Sequence, residues 1–186
     1  MSAGRVRKLE AEYDVTVRYT YFPLHPETPS EGRPLAELFA GREALLDDMS
    51  RRLRALMEAE GLEYGDRTHT YNSRLAQELA ASADEAGVTD AMHDALFRAY
   101  FVEGRDISDA SVLTELATEV GLDPDLTRAV IEDRRNEDVI DAHWERALSF
   151  GISGVPTFAA GGFGVVGAQP YETLQLLMER VGAPAR

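Results

Sequence analysis

Apolar and polar positions along the chain change their period four times. Val6, Leu9 and Tyr13 recur at helical spacing over residues 4–13, which predicts a short amphipathic helix. Val15, Val17, Tyr19 and Tyr21 then alternate with Thr16, Arg18 and Thr20, a strand pattern rich in β-formers. The next stretch, FPLHPETPSEGRP, holds four of the eight prolines and reads as loop.

From about residue 41 to 150 the period is helical throughout. Leu45, Met49, Leu53 and Leu56 make one apolar face ahead of Gly61, a candidate C-terminal cap. Asn72 is placed to cap a helix that Gly87 ends, and Thr89 opens the next, which closes before Gly104. Ser108 or Asp109 starts another, closed at Gly121, and Asp123-Pro124 pairs a capping residue with proline at the first helical position. Val139, Ile140, His143, Trp144, Ala147 and Leu148 form the last stripe, ending near Gly151. Residues 157–160 and 163–167 flank Gly161-Gly162, the signature of a tight hairpin. Pro170 opens a final helix through Leu174, Leu177 and Met178. The simplest architecture is α/β: a sheet built from both ends of the chain, at 1–40 and 151–186, interrupted by an all-helical domain at 41–150.

Composition narrows the chemistry. The 186 residues contain no cysteine, which excludes disulfides, cysteine zinc sites and cysteine nucleophiles within these residues. A net charge of −14 disfavours nucleic acid and anionic membrane as partners. Residues 61–186 carry 22 acidic and 10 basic side chains, read as a solvated acidic surface. No apolar run approaches a membrane span and the first residues lack a signal-peptide core, so a cytoplasmic location is expected.

Gly162, Gly164 and Gly167 spell G-x-G-x-x-G, yet the 19 residues that follow leave no room for a βαβ unit, and a hairpin accounts for them. His25, His69, His93 and His143 show no metal-ligand spacing, so no metal is expected. Only His25, in the proline loop, stays a candidate pocket residue. No G-x-S-x-G or S-x-x-K supports a serine hydrolase. The segment Gly154-Val155-Pro156-Thr157-Phe158 is a loop-to-strand junction, because proline cannot donate to a central ladder. By base rate alone its X-Pro bond is trans.

GISGVPTF followed by a hairpin, GAQP and a closing helix resembles the end of a DsbA-like thioredoxin-fold oxidoreductase. YFPLHPETP, TYNSRLAQEL, ALFRAYFVEGRDISD and VLTELATEVGLD resemble the FrnE-like branch of that family, and the likeness runs from about Gly4 to Val181. It implies a thioredoxin-like domain carrying a helical insertion, with Pro156 as the family's cis-proline. Gly154, Val155 and Pro156 would bind substrate, the main chain of Val155 pairing with an extended segment. The implied partner is a disulfide- or thiol-containing substrate, without a cofactor. Some relatives are dimers, although no interface signature stands out in the sequence.

The chain departs from the family at its most important point. The first strand and the catalytic C-x-x-C would fall just N-terminal to Gly4, and neither is present. The missing strand would lie between the strands at 15–22 and 157–160, leaving the former without its inner neighbour. A start placed too far downstream is the favoured explanation, and a degenerate, non-redox member that only binds peptides is its rival. The resemblance extends to glutathione-dependent 2-hydroxychromene-2-carboxylate isomerases and kappa-class glutathione transferases, which carry serine at the first cysteine position. Those relatives usually place an acid in the turn before the last helix, where this chain has Ala168-Gln169-Pro170, so that reading ranks second.

Overall fold

A computed structural model describes residues 2–186 and divides them into two compact units, 2–24 with 143–186 and 25–142. The sequence places the seams at 40 and 150. They fall at 24 and inside the last helix of the insertion, because residues 25–40 are tied to the helical unit.

In that unit a two-residue ladder joins β1 (Arg33–Pro34) to β2 (His69–Thr70), with Arg33 opposite Thr70. The amide of Asn72 donates to the Thr28 carbonyl at 2.7 Å, and the Thr28 side chain is buried. A one-turn helix α2 (Leu35–Leu38) and the long α3 (Glu43–Ala59) follow β1. The core is made by α4 (Arg74–Ala86), α5 (Thr89–Phe101), α6 (Ala110–Glu119) and α7 (Pro124–Ile131). Leu79, Met92, Leu113, Leu116 and Val130 are fully buried at their contacts, each stabilising by about 1.5–3 kcal/mol relative to exposure. Small residues let α4 pack closely, since Ala76, Ala80, Ala81 and Ala83 are all buried.

The helix boundaries follow the capping residues. Asp109 accepts hydrogen bonds from the Ser111 and Val112 amides, and Asp123 from the Leu126 amide ahead of Pro124. The Asn72 side chain accepts from the Arg74 amide at 2.9 Å, and Gly87 closes α4 in the left-handed conformation. The buried carboxylate of Glu78 is held by Arg74 and by both nitrogens of the Arg134 fork. Asn136 donates to the Glu78 carbonyl and to the Ser82 hydroxyl, so the turn before α8 (Glu137–Ser149) is locked onto α4.

The other unit packs α1 (Ser2–Glu12) and α9 (Tyr171–Arg180) against a hairpin of β3 (Thr157–Ala160) and β4 (Phe163–Val166). Leu9, Leu174, Leu177 and Met178 form its buried core, with Val15, Phe158, Ala160 and Val165 packed on it. Ala160 lies opposite Phe163 across a two-residue turn, and both Gly161 and Gly162 have positive φ, as a primed turn requires.

The strand expected at 15–22 is the main departure. No strand is assigned there, and among the described residues only a single bridge, Tyr13 to Ala185, lies nearby. The burial of the segment still alternates: Val15, Val17, Tyr19 and Tyr21 are half-buried, while Thr16, Arg18 and Thr20 are exposed. The sequence pattern therefore set which side chains face inward, but a ladder also needs a neighbouring strand, and none pairs with this segment among the described residues. The apolar face read on α3 also differs. Its half-buried side runs through Leu46, Ser50, Leu53 and Met57, and Leu45, Met49 and Leu56 face solvent.

Candidate functional site

The chain reaches the Gly154-Val155-Pro156 corner from the end of α8. The Gly151 amide donates to the Leu148 carbonyl at 2.9 Å and the Ile152 amide to the Ala147 carbonyl at 3.1 Å, with Gly151 at positive φ. This paired αL closure ends the helix and fixes the direction of the loop. Beyond it the Thr157 hydroxyl donates to the Gly154 carbonyl at 2.7 Å, and the Pro156 carbonyl accepts from the Gly167 amide at 2.7 Å. The loop is thus bonded on both sides of Val155.

Val155 itself is different. Neither its N–H nor its carbonyl has a hydrogen-bond partner among the described residues, and its side chain is 49% exposed. The Val155–Pro156 peptide bond is cis. Gly154 and Pro156 are half-buried on either side. A main chain with a free donor and acceptor on a fixed corner suits pairing with an extended segment of another molecule.

Two exposed apolar side chains precede the corner, Leu148 and Phe150, the latter 68% exposed with Arg146 over its ring. The apolar stripe that the sequence predicts on α8 includes Leu148 and stops short of Phe150. The available signal was position: both lie in the last turn before the Gly151 closure, where a helix leaves its packing surface.

β3 continues from the corner and pairs on one edge with β4, while no strand lies on its other edge among the described residues. Phe158 and Ala160 of β3 pack on the same core cluster as Val15. The start of the 15–22 segment and the edge strand β3 therefore pack on one core cluster. The turn after β4 is held by α1, since the Arg5 guanidinium donates to the Ala168 and Gln169 carbonyls. The Tyr171 hydroxyl donates to Glu12 at 2.7 Å, and Lys8 lies over the Tyr171 ring. Burial, and then the Glu12 carboxylate that accepts the proton's hydrogen bond, push the Tyr171 phenol above its ordinary range.

His25 does not join this corner's description. It belongs to the helical unit, where its exposed ring lies 3.6 Å from the Glu27 carboxylate. His143 stacks on Tyr21 with ring centroids 5.5 Å apart and receives the Tyr21 amide at Nδ1. Among the described residues no three His, Cys, Asp or Glu side chains gather as a metal site, and no helix is long and apolar enough to cross a membrane.

Comparison with known proteins gives this geometry a setting. Residues 2–179 match the DSBA-like thioredoxin domain. The structure is similar to that of a probable DsbA oxidoreductase from Streptomyces coelicolor, with a TM-score of 0.87 and 30% identity over 97% of this chain and 83% of that one. A 2-hydroxychromene-2-carboxylate isomerase shares the fold, with a TM-score of 0.72 and 19% identity over 96% of this chain and 85% of that one. The uncharacterized protein YwbO of Bacillus subtilis is 38% identical over 74 residues, a match that covers 39% of this chain and only 37% of that relative.

Proposed function

We propose that this chain, which belongs to the DSBA-like thioredoxin domain family, is the scaffold and substrate-docking part of a thiol-disulfide oxidoreductase. The observation that carries the reading is the edge of β3 that has no strand beside it among the described residues, next to the unpaired main chain of Val155, with Val15 packed on the same core cluster as Phe158 and Ala160. A strand inserted there would complete a sheet and would end next to the Val155 corner. The family resemblance supplies what such a strand carries, a C-x-x-C motif.

The chemistry then runs by exchange. The first thiolate attacks one sulfur of the substrate disulfide, forms a mixed disulfide and expels the other sulfur as thiolate. The second thiol attacks the mixed disulfide, releasing the substrate's second thiol and leaving the motif oxidised. Two electrons and two protons pass from the dithiol to the substrate. The chain's own residues contribute binding: the Val155 N–H and carbonyl hold the extended substrate, and exposed Leu148 and Phe150 favour an apolar segment beside it. Since the 186 residues contain no cysteine, the thiols come from residues outside them. Glutathione-dependent isomerisation ranks below this reading, because the turn before α9 offers Gln169 and no acid.

The test extends the chain ahead of α1 with the family's strand and C-x-x-C. The extended protein reduces a disulfide-bonded test protein in the presence of dithiothreitol, while the 186-residue chain alone leaves the background rate unchanged. A folded extended protein with reactive thiols and no exchange activity overturns the reading. So does activity confined to the form with serine at the first cysteine position.

A further inference from the structure

The helix α3 has 17 residues and none of them is buried. Its half-buried side accounts for Leu46, Leu53 and Met57, which leaves Leu45, Met49 and Leu56 exposed at 45%, 49% and 53%. At helical spacing these three fall within about 40° of arc, a continuous stripe rather than scattered apolar residues. Arg52 lies on the same stripe between Met49 and Leu56, with Asp48 at its margin.

Along α3 the acids Glu43, Asp47 and Asp48 precede Arg51, Arg52 and Arg54, and Glu58 follows in the last turn. Where Asp48 precedes Arg52 along the stripe, the helix is complementary to itself when reversed. We propose that α3 is an isologous interface between two copies of this chain, packed antiparallel about a two-fold axis passing between Ser50 and Arg51. Leu45 then faces the partner's Leu56, Met49 lies against the stem of the partner's Arg52, and Asp48 meets the partner's Arg52 head group. Each contact occurs twice. Within one chain Asp48 already pairs with Arg52 at 2.7 Å, but that pair is solvent-exposed and contributes little by itself. The stripe is smaller than the roughly 800 Å² per partner of a standard interface, so the dimer is weak and concentration-dependent. This inference does not depend on the redox reading.

Sedimentation equilibrium of the whole chain over a wide concentration range tests it. The wild type shows a weight-average mass that climbs from one chain toward two. Leu56→Glu stays monomeric throughout. Asp48→Arg places two arginines together twice, and Arg52→Asp places two aspartates together twice, each weakening self-association by about tenfold or more. Mixing these two single variants restores both opposite-charge contacts, and the mixture dimerises although neither component does. That recovery cannot come from a folding defect or from the pair within one helix. A wild type that is monomeric at every concentration overturns the proposal. It also fails if the single variants dimerise as the wild type does, or if their mixture stays monomeric.

Discussion

Three residues show how local geometry separates structural from functional positions. Gly161 has a φ of 54°, and a Cβ there would stand 2.8 Å from Val181 Cγ1. Gly161→Ala therefore combines backbone strain with a clash and is expected to cost about 1–3 kcal/mol, read as a lowered Tm by calorimetry. Gly154 has nothing within 4 Å of an added Cβ and no positive φ. Gly154→Ala should leave the Tm within about 1 °C of wild type, corresponding to a change well under 0.5 kcal/mol. Any loss of substrate binding in Gly154→Ala would then report on the corner and not on stability. Arg134 is the third. Its guanidinium satisfies a carboxylate with no solvent exposure, so Arg134→Ala should cost roughly 2–4 kcal/mol in urea unfolding, with Arg74 keeping part of the compensation.

His93 adds a pH dependence at the same scale. The residue is buried on α5, and burial holds its imidazole below the ordinary value, with Asp84, Asp90 and Asp94 opposing the shift. The folded state therefore binds its proton less readily than the unfolded state. Stability from this group is present above the unfolded value of about 6.5 and is lost as pH falls through it toward the folded value. Urea midpoints between pH 7 and 5 should drop less in His93→Gln than in the wild type. Equal drops would show that the imidazole takes no part.

At the scale of elements, the sequence was most informative where a signal is self-contained. Helix starts at Asp109 and Asp123 and the Gly161-Gly162 turn were legible because a cap or a primed turn is satisfied by residues three or four positions away. Residues 15–22 were legible only in part. Their period of two correctly gave the inward side chains, yet pairing depends on a strand elsewhere in the chain, which periodicity does not report. The face of α3 was misjudged for a related reason. Its apolar arc is wider than one packing surface, and only the structure shows which half is covered. The Val155 corner was legible as a loop-to-strand junction. Its unpaired main chain became visible only once the hydrogen bonds of Thr157 and Gly167 were in place.

For the whole molecule, the two units divide the work. The helical unit is held by a dense core and the Glu78 network, which gives it the means to be rigid whatever the state of the sheet. The sheet-bearing unit has a small core cluster of four buried residues, and β3 has no strand on its second edge among the described residues. Its stability is therefore the quantity most sensitive to a strand supplied at that edge. The proposed function requires that a strand fit between residues 15–22 and β3, and amide hydrogen exchange tests this directly. In the 186-residue chain the amides of Thr16, Arg18 and Thr20 should exchange at nearly the rate of an unstructured peptide. In a chain extended by the family's first strand they should slow by about 100-fold or more, as ladder amides do. Strong protection of these amides in the unextended chain, or no gain in protection on extension, would contradict the account.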